Sequence, residues 1–119
     1  MTLLLAIIGH LVGDYLTQND WMALNKKRHL LPLSVHCLLW TFAVWIITWA
    51  HGKGWPAGVL PLLFFTHFTQ DGFNVITRWM DFIGQKDFRT GPCAPWSVIV
   101  VDNVWHIVTL FAVWYFFAA

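Results

Sequence analysis

Four apolar runs, roughly residues 2 to 18, 32 to 50, 57 to 79 and 96 to 117, occupy almost the whole chain, and each comes close to the ~20 residues of helix that cross a bilayer core. Backbone N–H and C=O groups inside hydrocarbon must be satisfied within the spanning element, and long unbroken runs do this as helices rather than as alternating barrel strands. The expected fold is therefore an all-α membrane protein, a four-transmembrane-helix bundle forming one integral membrane domain over residues 1–119. Composition leaves no room for a soluble domain: 58% of the residues are hydrophobic and 11% are charged. The first run has no basic segment before "LLLAIIG" and no small-residue cleavage site after it, so it is expected to be retained.

Lysine and arginine set the expected orientation. Lys26, Lys27 and Arg28 fall in the first connection and Arg78, Lys86 and Arg89 at or in the third, whereas the second connection carries only Lys53. The positive-inside rule then puts the first and third connections in the cytoplasm and both termini outside. Trp21, Trp79 and Trp96 are expected at the inner interface and Trp49 and Trp55 at the outer one. A formal net charge of +1 shows no nucleic-acid footprint. Cys37 and Cys93 lie toward the reducing side in this topology, which disfavours a disulfide.

Against this background the segment "THFTQDGFN" is costly, because His67 and Asp71 interrupt an apolar run. The other runs carry similar groups: His10 and Asp14 in the first, His36 in the second, Asp102 and His106 in the fourth. Three of the pairs are spaced i, i+4, so each pair shares a helix face, and Gln18 extends the first series by four residues. With the expected topology, all seven ionisable groups fall roughly 6 to 12 Å below the cytoplasmic boundary at about 1.5 Å per residue. Packing alone could be served by Gly, Ala and neutral polar residues, so a shared layer of seven ionisable groups points to a site.

Four imidazoles and three carboxylates without a basic partner are ligands for a cation. The expected metal ligands are His10, Asp14, His67, Asp71, Asp102 and His106, with His36 and Gln18 as catalytic groups. Such donors suit a divalent metal, Zn²⁺ first and Mn²⁺ or Fe²⁺ next, and they are numerous enough for one or two ions. No G-x-S-x-G, Cys/His nucleophile pair or phosphate loop is present, and Cys37 is turned about 100° from His36 on the helix, a packing position.

The ordered motifs H-x-x-x-D-[FY]-x-x-Q, an early His in the second helix, H-x-x-x-D and D-[QN]-x-x-H correspond here to His10, Asp14, Tyr15 and Gln18, then His36, His67, Asp71, Asp102, Asn103 and His106. In this order and over nearly the full length, the chain resembles the domain of unknown function 3307 family of small bacterial and phage membrane proteins. The fourth motif reads "DN" where the resemblance implies D-Q, and "DGFN" lacks the lysine it implies soon after the third-helix Asp. The resemblance implies a location in the bacterial inner membrane. Similarity to other small membrane proteins described as metal-dependent hydrolases suggests hydrolysis.

The expected function is metal-assisted hydrolysis at the cytoplasmic leaflet, on a lipid or lipid-linked phosphoester. A metal with an open position makes hydroxide available near neutral pH, and two metals clamp a phosphoryl group. The basic residues at that interface would attract phosphate. The alternatives are a proton or divalent-metal transporter, disfavoured by the apolar outer halves "LLLAI", "AVWIIT" and "LFAVWYFF", and a metal-stapled structural or regulatory subunit. Four short helices bury little, so homo-oligomerisation is also expected.

Overall fold

The computed structural model describes residues 2–117; Met1, Ala118 and Ala119, the ends of the single domain expected over 1–119, lie outside the described residues. Every regular element among the described residues is helical. α1 (Leu3–Leu11) continues into a wide π-helical turn, Val12–Leu16, and the chain then forms α2 (Asp20–Asn25) and α3 (Leu30–Thr48). A 3₁₀ turn at Ala57–Val59 leads into α4 (Leu60–Gly72), followed by α5 (Val75–Phe82), α6 (Lys86–Thr90) and α7 (Trp96–Phe117). The molecule measures 45 × 28 × 20 Å.

Two helices, α3 with 19 residues and α7 with 22, are long and apolar enough to cross a membrane. The other two runs are shorter than the sequence suggests. The first leaves regular helix at the π turn, where Thr17 N–H donates to Val12 O at 3.1 Å, so Gln18 lies past the helix end. The third, expected as one helix over 57–79, is divided: α4 ends at Gly72, and Asn74 takes a left-handed conformation with φ 54°. Asn is among the few side chains that tolerate that region, and the turn redirects the chain before α5 starts.

α1 and α3 approach closely because "GHLVG" places Gly9 and Gly13 four residues apart on one face. A Cβ on Gly9 would stand 2.6 Å from the Val44 Cα, and one on Gly13 would stand 2.6 Å from the Trp40 ring. This seam is built from glycines, which carry no charged or polar side chain.

The half of the bundle away from the basic connections is filled by Ala6, Trp40, Val44, Trp55, Val59, Leu63, Leu110 and Val113. Trp55, expected beside the outer interface, packs into this core at 1% exposure. Its carbonyl accepts from Trp45 Nε1 at 2.8 Å and Trp49 Nε1 at 3.1 Å, so the second connection is tucked against the helix ends. Trp21, Trp49, Trp79 and Trp96 are exposed, as are Leu38, Phe42 and Ile46 along α3 and Val104, Val108 and Phe111 along α7. A long helix with exposed apolar side chains over its length has its outer face matched to something other than water.

Candidate metal centre

The π turn, α3 and α4 bring Asp14, His36, His67 and Asp71 to one point, with a ligand atom from each lying within 4.8 Å of the others. His36 Nε2 stands 2.9 Å from His67 Nε2, 3.0 Å from Asp71 Oδ2 and 3.3 Å from Asp14 Oδ1. His67 Nε2 stands 3.4 Å from both Asp14 Oδ1 and Asp71 Oδ2. Four donors at about 2.0–2.1 Å from a tetrahedral ion are separated by roughly 3.3 Å, and the five spacings from the two imidazole nitrogens, 2.9 to 3.4 Å, lie near that value.

Proton counting favours a cation over a hydrogen-bond network. One imidazole nitrogen carries at most one proton, yet His36 Nε2 faces three acceptors. Asp14 Oδ1 is buried and has no hydrogen-bond partner. Leaving such an oxygen unsatisfied costs about 1–3 kcal/mol, more for a charge, and a metal at the centre satisfies it together with both nitrogens. The residues present therefore fit a divalent ion.

A second group, Asp14, Asp102 and His106, shares Asp14 with the first. His106 Nε2 lies 3.1 Å from Asp71 Oδ1 and 3.4 Å from Asp102 Oδ1. Asp71 thus turns one oxygen toward His36 and His67 and the other toward His106, and both groups stand on shared carboxylates.

His10, although fully buried, belongs to neither group. Trp40 Nε1 donates to its Nδ1 at 3.1 Å, so its Nε2 carries the proton it gives to Asn103 Oδ1 at 2.9 Å, and both nitrogens are engaged. Asn103 donates in turn to Tyr15 Oη and, at 3.0 Å, to the Ile99 carbonyl. Here His10 braces the fold beside Asp14, 3.5 Å from its Oδ2. His36, expected as a catalytic group, sits among the four ligand candidates instead. Gln18 Nε2 donates to the Asp14 carbonyl at 3.3 Å, a backbone contact rather than a place among the ligand atoms.

Trp40, not among the residues expected at the site, stacks on His67 with centroids 4.0 Å apart and planes 9° from parallel. The available signal was its position four residues after His36, on the same face of α3. Lys26, expected at the inner interface where it sets topology and would attract phosphate, also reaches into the cluster. Lys26 Nζ donates to Asp71 Oδ2 at 2.7 Å and Lys27 Nζ to the Asp71 carbonyl at 3.1 Å. Burial pushes the Lys26 ammonium down, but the charge of Asp71 and its hydrogen bond, with Asp14 and Asp102 beyond, outweigh this and raise its pKa. A lysine thus reaches the third-helix Asp from the first connection. With neutral imidazoles, three carboxylates and one ammonium leave two negative charges, the complement of one divalent cation.

A cavity of about 190 Å³ opens beside the cluster, bounded by Lys26, Lys27, Asn74 and Thr77 with Asp71 and Asp102 on its wall. Arg89 is not among its lining residues; its guanidinium pairs with Asp81 at 2.7 and 2.9 Å on the surface.

Fold and cluster together define an all-helical protein with two helices able to span a membrane and a buried His/Asp centre able to hold a metal ion. The model of the family described as "Protein of unknown function (DUF3307)" matches residues 2–119, and the chain belongs to that family. No curated protein and no solved structure matches it.

Proposed function

We propose that this protein is a membrane-embedded, metal-dependent hydrolase acting at the cytoplasmic leaflet on a lipid or lipid-linked phosphoester. The observation that carries this reading is the pairing of a four-ligand group with a three-ligand group on shared carboxylates, with Asp102 of the smaller group on the wall of an accessible cavity. Four protein ligands close a tetrahedral site, whereas three leave a position for water or substrate. Zn²⁺ is the preferred ion for this donor set, and a bound divalent ion would supply a water acidic enough to ionise near neutral pH. Asp14, Asp71, Asp102, His36, His67 and His106 would hold it. Trp40 keeps the His67 ring in place and His10 supports Asp14. The cavity admits substrate beside Lys26 and Lys27.

In this reading the protein is a four-pass bundle in a bacterial inner membrane with both termini outside. α1 with its π turn, about 21 Å long at 1.5 Å per residue, and α4, about 20 Å, are short for a ~30 Å core. Their inner ends meet the polar centre, where local thinning of the bilayer takes up the difference. α2, α5 and α6 then lie in the headgroup layer, with Trp21, Leu24, Phe82 and Phe88 directed outward. Transport is disfavoured because the apolar core from Ala6 to Val113 closes the other half of the bundle.

The test is elemental analysis of purified protein followed by turnover assays over lipid and soluble phosphoesters. Stoichiometric metal with hydrolysis that disappears in Asp102→Asn supports the reading. Metal flux across sealed vesicles without turnover would replace it with the transporter.

A further inference from the structure

The Lys26 ammonium has two neighbours of opposite character: the Asp71 oxygen on one side and the 190 Å³ cavity on the other. The Asp71 Oδ2 that it grips is also the oxygen facing His36 and His67. A divalent ion coordinated by that oxygen repels an ammonium 2.7 Å from it, and a flexible four-carbon stem can turn away. The cavity is the open space next to Lys26, and Lys27, Asn74 and Thr77 also line it; the Lys27 ammonium has N–H groups beyond the one it gives to the Asp71 carbonyl, whereas the Thr77 hydroxyl donates to the Asn74 carbonyl. Without a cation, Asp71 and Asp102 on the cavity wall would repel an anion that enters, and a bound divalent ion would offset that charge.

Building on the metal-dependent reading above, we propose that this cavity is the docking site for a phosphate group and that Lys26 makes docking conditional on the metal. Lys26 holds Asp71 while the centre lacks a cation, then turns into the cavity to bind the anion beside Lys27, Asn74 and Thr77. A lipid headgroup and a soluble phosphate monoester present the same chemistry here.

The experiment is equilibrium binding of micromolar radiolabelled inorganic phosphate to the full chain in phosphatidylcholine nanodiscs, with and without Mn²⁺, with metal content measured in parallel. The expected result is retention of phosphate only when metal is bound, reduced at least tenfold in Lys26→Met and Lys27→Ala, whose metal content is unchanged. Lys26→Arg, which keeps the charge, should retain most of the binding. Phosphatidic acid in the nanodisc displaces the label if the natural source is a lipid headgroup, and leaves it if the source is soluble. Phosphate binding that ignores the metal, or that survives Lys26→Met and Lys27→Ala, overturns the inference. Metal bound stoichiometrically with no phosphate retained overturns this inference alone, whereas failure to bind metal overturns the hydrolase reading itself.

Discussion

The imidazoles of His36 on α3 and His67 on α4 meet Nε2 to Nε2 at 2.9 Å, and the Nδ1 of each is buried without a hydrogen-bond partner. Two lone pairs, or two protons, facing each other at that distance repel, and a single shared proton still leaves the buried Asp14 Oδ1 beside them without a partner. Purified protein is therefore expected to carry a divalent metal. His67→Ala and Asp71→Ala should lose it, whereas His10→Ala should still load fully at saturating metal, because Trp40 and Asn103 occupy both nitrogens of His10. Elemental analysis decides the matter; metal lost as completely from His10→Ala as from His67→Ala would return His10 to the ligand set.

Metal removal should also weaken the fold. An ion that binds only the folded chain stabilises it by about 2.7 kcal/mol when free metal is a hundredfold above Kd. Thermal unfolding in detergent is expected to shift downward on chelation and to recover on adding Zn²⁺. An unfolding curve indifferent to chelator would mean that the cluster holds together without a cation.

Gly9 tests the helix seam independently of the metal. A Cβ there meets backbone at 2.6 Å and cannot be relieved by a rotamer change, so Gly9→Val should separate α1 from α3 at a cost of about 1–3 kcal/mol or more. Gly58→Ala, where the added atom meets nothing within 4 Å, is the control and should leave the melting temperature nearly unchanged.

Single cysteines at Lys27 and Lys86 should be labelled from the cytoplasmic side and one at Lys53 from the opposite side, following the distribution of basic residues. Labelling of Lys53→Cys from the cytoplasm would invert the proposed topology and move the centre to the outer leaflet.

The Arg89 guanidinium beside Asp81 holds that carboxyl below the usual carboxylate range. A depressed folded pKa contributes stability above the unfolded value, about 3.9, and that contribution is lost as pH falls through the folded value. Arg89→Gln should therefore lower stability at neutral pH, and only slightly since the pair is exposed, with the difference from the parent disappearing as pH falls through the folded value. Metal content and phosphate retention at neutral pH should match the parent protein; a lower phosphate retention would make Arg89 part of substrate capture after all.

Periodicity was enough to show helix and polar stripe together. A repeat of i, i+4 fixes a shared face whatever the helix packs against, so the pairs His10/Asp14, His67/Asp71 and Asp102/His106 were legible from spacing alone, and their convergence with His36 was expected only from a common depth. The fourth run shows the same thing: with no internal Gly or Pro, it is one helix over Trp96–Phe117 as read. What tertiary structure decided is which groups are committed elsewhere. In the sequence His10 shares a face with Asp14 and His36 has no such partner, yet His36 is the one among the ligand atoms, because Trp40 and Asn103, far away along the chain, take both nitrogens of His10 while leaving His36 Nε2 turned toward carboxylates. Lys26 reached Asp71 across 45 residues of sequence, a pairing that no local spacing encodes. Helical phase is a property of neighbours along the chain, whereas ligand choice depends on which hydrogen bonds the folded bundle has already made.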